Sequence, residues 1–390
     1  MNRIVTICIL IQAFILSACS DKVPYDYENF DIKDVHENDN NELIDLTLVN
    51  ARELVFLSDT NSRNFSLYPA YFYDSLTSKE FFINRNEFLD GLDFYDYHSG
   101  EMVKRLVFPS DGPGSVAELS GFFIKSMDSI FIADRNKNQV LLVNDSGQFQ
   151  DQYLLPIEHS RSVFTTILSK FFVVEDKLIM NYSAYETAEN TGGAPTAILY
   201  DLKRKKIIKM LSPLDPAQLA DNNYASHQQS QKINQGHGTS TVTRYGPLPF
   251  IYHYDFEKGE LKMHQLKSKR QKDQVAPMGV VPDGDRKYLE ESYMQTIYDP
   301  YRKLYYSIYY PDIPVKNMNN EDNTLEDMQM SIIIADTLFR YRGEIILEKD
   351  KYLRTPFISK EGLLMPKSHM NFKGEEEGKM KYDLFKIEQL

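Results

Sequence analysis

Tryptophan is absent from the 390 residues, and cysteine occurs only at Cys8 and Cys19. No thiol lies beyond residue 19, which excludes an internal disulfide, a thiolate zinc site and a cysteine nucleophile from the body of the chain. Basic residues are in deficit, 44 against 56 acids, for a formal charge of -12. Such a chain lacks the basic face that phosphate backbones demand, so nucleic acid is excluded as a partner. Electrostatic docking onto anionic lipid is excluded on the same ground. The motifs of common active sites are missing: no His-Glu-x-x-His, no Gly-x-Ser-x-Gly, no phosphate loop and no EF-hand spacing. Sialidase-type Asp boxes are missing too, since "NDSG" occurs once. The eight histidines are scattered, with only His227 and His237 in one loop, so neither a metal site nor a cofactor is expected. A glycosidase pair cannot be singled out from 56 carboxylates. Sustained helical periodicity is nearly absent, which leaves an all-β class.

One long apolar run is present, at the N-terminus. Arg3 and the amino group precede Ile4 to Leu16, and small residues follow, the layout of an export signal too short to span a bilayer. Leu16-Ser17-Ala18-Cys19 resembles a bacterial lipobox, which implies cleavage before Cys19 and acylation of its thiol. The alternative is an ordinary secretory signal with an incidental cysteine. On the lipobox reading, residues 1–18 are a lipoprotein signal peptide, and losing Arg3 with them moves the charge from -12 to -13. The lipid bilayer is then a partner through acylated Cys19, because several acyl chains anchor where one barely holds. Residues 19–42 read as an acidic, solvated tether, which at this length spans roughly 25–30 Å. The expected location is the cell envelope, at the outer membrane on its periplasmic or surface face. The acids after Cys19 resemble a surface-export signal, diluted here by Lys22, Val23 and Pro24.

From residue 43 to 390 short runs rich in Val, Ile, Phe and Tyr alternate with Asp, Asn, Gly or Pro, and one unit recurs. It is a strand ending near Asp, a polar turn and a second strand: "LDFYDYHSGEMVKRLVF" at 92, "VLLVNDSGQFQDQYLL" at 140, "AILYDLKRKKIIKML" at 197, "FIYHYDFEKGELKMHQL" at 250 and "IIIADTLFRYRGEIIL" at 332. A truncated copy, "MKYDLFKIEQL", ends the chain. The markers Asp96, Asn144, Asp201, Asp255, Asp336 and Asp383 step by 48, 57, 54, 81 and 47 residues. A period near 40 to 50 residues with four short strands marks a propeller blade. The 81-residue step holds no second marker hairpin and counts as one blade with insertions, so six blades are predicted. The last copy lacks a following strand, while a spare strand near "ELIDLTLV" precedes the first blade at about Tyr68. Strand 43–49 is therefore predicted to be the outer strand of blade six, closing a ring that would otherwise expose edges.

Residues 108–148 carry a Gly112-Pro113-Gly114 turn after an outer strand, Ser120-Gly121-Phe122 at the start of the next blade, and "DSIFIAD" followed by "NDSGQF". This stretch resembles an uncharacterised lipoprotein family of the Bacteroidota, a domain of unknown function of the TolB-like six-bladed β-propeller type. The likeness extends loosely over residues 43–390. It implies the fold and brings no activity, cofactor or catalytic residue with it.

In such blades the turns between strands three and four are short here. The connections on the opposite face are long: 181–195, 212–247, 310–328 and 366–379. That long-loop face is the predicted site. Its candidate ligand-binding residues are Arg85, Asp111, Asp134, Arg135, Asn136, His237, Asp312 and His369, with Tyr309 and Tyr310 as a stacking platform. Each has a plainer reading. Gly112 to Gly114 shape a turn, Asp134 and Asn136 cap their own loop, His237 is an exposed loop residue, and most tyrosines are core or cross-strand partners. The leading expectation is an envelope lipoprotein, not evidently catalytic, whose long-loop face binds a protein partner, a peptide or a glycan. The rivals are a hydrolase or lyase acting on an envelope or imported polymer, and a structural subunit of an outer-envelope complex.

Overall fold

The computed structural model describes residues 35–36, 45–112, 114–155, 161–164, 170–184, 197–211, 232–244, 248–271, 291–314, 316–324, 327–368 and 373–390. The predicted signal segment and Cys19 lie outside them. Two strands precede the ring, β1 (Val35–His36) and β2 (Leu46–Leu57). Blade one is β3 (Pro69–Asp74), β4 (Lys79–Asn86), β5 (Gly91–Asp96) and β6 (Met102–Val107). Blade two is β7 (Leu119–Ser126), β8 (Ser129–Asp134), β9 (Gln139–Val143) and β10 (Phe149–Leu154). Blade three has a divided inner strand, β11 (Arg161–Phe164) and β12 (Phe172–Val174), followed by β13 (Lys177–Ala184), β14 (Ala197–Asp201) and β15 (Lys206–Leu211). Blade four is β16 (Lys232–Gln235), β17 (Ser240–Arg244), β18 (Phe250–Asp255) and β19 (Glu260–Gln265). Blade five is β20 (Ser292–Asp299), β21 (Leu304–Tyr310), β22 (Ser331–Asp336) and β23 (Tyr341–Ile346). Blade six is β24 (Phe357–Ile358), β25 (Leu363–Pro366), β26 (Lys379–Gln389) and, as its outer strand, β2. The protein is a six-bladed, all-β propeller, and the long step between Asp255 and Asp336 is one blade.

Each blade packs face to face on two neighbours, so the middle strands are covered on both sides and read as unbroken apolar runs. Successive side chains then feed different cores, because strand residues alternate faces. Ile130 and Ile132 of β8 pack with Ile83, Leu92 and Phe94 of blade one. Phe131 and Ala133 between them pack with Leu178, Met180 and Ile198 of blade three. The same alternation sends Tyr305, Tyr309 and Ile333 to blade four, while Tyr306, Ile308 and Ile332 face blade six. Six such interfaces close the circle.

The recurring aspartate is explained by its own turn. Asp96 Oδ1 accepts from the amides of His98 and Ser99 (3.0 and 2.8 Å), Asp255 Oδ1 from Glu257 and Lys258 (3.0 and 3.1 Å), and Asp336 Oδ1 from Leu338 and Arg340 (2.9 and 3.0 Å). Asn144 does the same for Ser146 and Gln148 (3.0 and 2.9 Å). A short acceptor at the strand end satisfies the turn amides and starts the hairpin. Asp383 has no turn to close. It lies inside β26 and accepts from the Tyr352 hydroxyl at 2.7 Å.

Closure occurs as predicted, with a longer strand than residues 43–49. β2 pairs antiparallel with β26 from Leu46↔Gln389 to Leu57↔Lys379, with a register shift between Asn50 and Arg52. One extra residue reverses which side chains face which neighbour. Leu46 and Leu48, ahead of the shift, join the core shared with blade five; Leu54 and Phe56, beyond it, join the core shared with blade one. Gly343 of β23 lies against this strand so closely that a Cβ would stand 1.9 Å from the Leu46 carbonyl oxygen. Two further readings need correction. The stretch 212–247, read as one loop, contains β16 and β17. Within the segment read as a free tether, Val35 and His36 pair in parallel with Met263 and His264 of β19.

Two measurements follow from this packing. Gly343→Ala forces β2 off blade five and should cost about 1–3 kcal/mol, as overpacking does elsewhere; thermal unfolding reads this as a lowered Tm, and an unchanged Tm contradicts the closure contact. His253 on β18, 5.3 Å from the Phe339 ring, is held by burial down to about 4, from an ordinary 6.5. Between those values the unfolded chain carries the extra proton, so stability should fall as pH drops from 6.5 towards 4. His253→Gln should flatten that part of a Tm-against-pH curve, and an identical slope would reject the assignment.

Candidate functional site

Turns between strands one and two, and between strands three and four, emerge on one face of the ring. They are two to five residues long in every blade. Connections between strands two and three, and between blades, emerge on the other, and they include Ala184 to Ala197, Leu211 to Lys232, Gln265 to Ser292, Tyr310 to Ser331 and Pro366 to Lys379. One face is thus plain and the other decorated.

Arg85 ends β4 on the decorated face, where Nη1 donates to the Ser120 carbonyl (3.2 Å) and Nη2 meets Glu87. It clamps blade one to blade two. Asp111 is exposed in the link between these blades, whose turn is held by Val116 N donating to the Pro109 carbonyl (2.9 Å), with Gly112 and Gly114 at positive φ. Asp134 is buried and accepts from the amides of Ala117, Glu118 and Lys137 and from Gln139 Nε2, at 2.8 to 3.3 Å. That is a loop-capping role; beside it Arg135 and Asn136 are exposed, with Arg135 Nη1 4.0 Å from Glu118. On blade five Asp312 is exposed, whereas Tyr309 and Tyr310 are buried in the cores shared with blades four and six. The Tyr309 hydroxyl donates to Glu291 Oε2 at 2.9 Å. Neither ring offers a face for stacking, because strand two is covered on both sides. His237 belongs to the β16–β17 turn and therefore to the plain face, not the decorated one where the sequence reading put it. Its amide donates to the Tyr305 hydroxyl (2.8 Å), and its exposed ring stands edge-on to Tyr298 at 5.4 Å. His369 and Cys19 lie outside the described residues. The structure thus gathers Arg85, Asp111 and Asp134–Asn136 around blades one and two, with Asp312 apart on blade five.

A second place was missed by the sequence reading. The inner strands of blades one to five enclose a cavity of about 230 Å³ in the central channel. Its walls include Phe72, Phe122, Phe172, Ile124 and Ile297, with Tyr68, Tyr71 and Tyr298, the amides of Asn234 and Gln235, and Lys170. Most of these lie two to five residues ahead of a strand one–two turn, which sets the cavity in the half of the channel nearer the plain face. Lys170 arrives there through an irregularity in blade three. Phe164 pairs with Asn181 and Phe172 with Ile179, so the inner strand advances eight residues while its partner advances two. Such excess in a strand re-aims side chains, and it tends to occur beside sites.

The Lys170 ammonium donates to the Pro69 carbonyl and sits 4.9 Å from the centroid of the Tyr68 ring. Among the described residues no carboxylate forms an ion pair with it. Burial alone pulls its amine down from 10.5 to about 7, since a low-dielectric site disfavours the charged form. Tyr68 is 1% exposed, and its hydroxyl, pushed far above its usual range by burial, has no hydrogen-bond partner among the described residues. Arg244, 1% exposed and more deeply buried than the half-buried Lys170, is held structurally, although its Nη1 has no partner among the described residues. Its guanidinium stacks 3.9 Å over Tyr293 and donates to Thr296 Oγ1 and the Leu266 carbonyl (3.1 and 2.8 Å), joining blades four and five. Among the described residues no three His, Cys, Asp or Glu side chains converge as a metal-binding set. In sequence Lys170 is one charge before "FFVV", a context that gives no sign of the channel.

Residues 45–346 match the family described as "Domain of unknown function (DUF4221)". The crystal structure of a DUF4221 family member from Bacteroides vulgatus is similar at a TM-score of 0.72 and 16% identity, covering 90% of this chain and 100% of that one. That of a putative exported protein from Bacteroides fragilis reaches 0.54 at 13% identity, covering 91% and 98%. At these identities the likeness shows the fold alone. No curated protein sequence matches the chain significantly. The family match runs through most of the ring, from the closing strand β2 to the outer strand of blade five, and the chain belongs to the DUF4221 family.

Proposed function

We propose that this protein is a lipid-anchored envelope propeller that holds a partner (a protein, a peptide or a glycan) on its decorated face. The observation that carries this reading is the one-sided connectivity: the long connections leave one end of a rigid six-bladed ring, and the other end has turns of two to five residues. Loops on a rigid scaffold are where recognition usually resides. Exposed Asp111, Arg135, Asn136 and Asp312 supply polar contacts there. The buried Asp134 and the Arg85–Glu87 pair hold two of these loops in place and serve the site indirectly. Anchorage rests on the lipobox at Leu16–Cys19 and the acidic stretch behind it. The exported character given to the Bacteroides fragilis neighbour agrees with an envelope location.

Two experiments test the two halves of the proposal. Cys19→Ser should abolish incorporation of labelled palmitate, and retained label would refute the anchor. Replacing residues 315–326 by a short glycine-serine turn keeps the buried Met328 and Met330 in place and should weaken capture of the cross-linked envelope partner by about tenfold or more, equivalent to about 1.4 kcal/mol. The same replacement in the 256–259 turn of the plain face should leave capture unchanged. Equal loss from both variants would overturn the assignment of the face.

A further inference from the structure

We propose that the channel cavity around Lys170 binds a small carboxylic acid with an apolar body, at a site separate from the decorated face. Three features of the cavity converge on this ligand chemistry. Its walls are mostly phenylalanine and isoleucine, so whatever fills it gains by burying apolar surface. Among the described residues it contains one cation, Lys170, which calls for one negative charge. A phosphate dianion would need several donors or a second positive group to balance it. Among the described residues no carboxylate meets this cation, whereas buried carboxylates of the protein are met by donors and cations. Asp93, 0% exposed, is met by Arg105 Nε at 2.5 Å, Ser62 Oγ at 2.7 Å and Asn86 Nδ2 at 2.9 Å. Asp299 is met by Arg302 at 2.9 Å and the Tyr306 hydroxyl at 3.2 Å, and Asp383 by Lys351 at 3.1 Å and the Tyr352 hydroxyl. Lys170 has a carbonyl oxygen and a ring face, both uncharged.

A carboxylate entering the cavity supplies the missing counter-charge where the dielectric is low and the pairing strong. The apolar tail then lies between Phe72, Phe122 and Phe172, which come from three different blades. An alcohol of the same length fills the same space and leaves the ammonium unpaired, so discrimination between acid and alcohol is the signature of the site.

The test uses the full chain in a non-ionic detergent at low salt and near-neutral pH, titrated by calorimetry with hexanoate and, in parallel, with 1-hexanol. Hexanoate should bind about tenfold or more tightly than hexanol. Lys170→Met should abolish the preference and Lys170→Arg should retain it. Equal affinities for acid and alcohol in the wild type would overturn the proposal, as would hexanoate binding unchanged in Lys170→Met or no binding at millimolar concentration. A second measurement needs no variant. Lys170 labelling by acetic anhydride, read by peptide mass spectrometry, should slow several-fold with hexanoate present and not with hexanol; equal labelling in all three conditions would overturn it. Envelope partner capture by Lys170→Met should stay at the wild-type level, so failure of the channel site and failure of the decorated face are told apart.

Discussion

The pairing of β2 with β26 is the contact on which the rest of the ring depends. A propeller is a set of sheets that bury both faces against neighbours, and it has no stable partial form in which one interface is missing. Here the first strand in the ring and the last in the chain share a ladder running from Leu46↔Gln389 to Leu57↔Lys379. The bulge at residues 50–52 lets the single strand β2 serve two interfaces, its first half packing towards blade five and its second towards blade one. A regular strand would commit every other side chain to one neighbour and leave the other interface short of apolar surface. Closure also pairs the edge of blade six, which would otherwise be an invitation to association.

Burial on both faces decides which residues remain for function. Strands two and three of every blade are consumed by the cores, which is why Tyr309 and Tyr310, however polar their hydroxyls, are structural. The Tyr309 hydroxyl is answered inside the protein by Glu291, and that of Tyr293 on the inner strand by Gln271 at 2.6 Å. What is left is the two rims and the channel lined by the inner strands. The rims differ because the chain spends its extra length on one of them, and the inner strand is regular in blade one, twice shifted in register in blade two and divided in blade three. Rigid scaffold and irregular insert are thus combined at the place where Lys170 meets Tyr68.

The buried acids follow one rule. Buried acids are capped by their own turn amides or matched by cations: Asp134 by loop amides, Asp93 by Arg105, Asp299 by Arg302 and Asp383 by Lys351. Removing a partner from such a site costs far more than the pair contributes in isolation, so these pairs fix local geometry, Asp93 with Arg105 inside blade one and Asp299 with Arg302 inside one turn of blade five. Among the described residues neither Lys170 nor Arg244 is matched by a carboxylate, and desolvation leaves the Lys170 amine near 7.

By itself the sequence determined the class, the blade count and the way the ring closes. These depend on short-range signals: alternation of side chains, the turn-closing Asp and Asn residues, and a last repeat without its fourth strand. It ended β2 too early because the polar run Asn50-Ala51-Arg52-Glu53 interrupts the alternation at the point where the bulge changes its phase. It mistook β16 and β17 for loop because "KINQGHGTSTVTR" is polar, although Thr241, Thr243 and Arg244 are buried by neighbours that local pattern does not display. His237 went to the wrong rim with them. The candidate residues drawn from loops were read correctly as loop residues, and whether each was capped, clamped or exposed waited on the fold. Lys170 could not be found beforehand at all. Its place in the channel is a property of five inner strands converging from residues 68 to 298, and no local stretch of chain records which side chains will line the space between them.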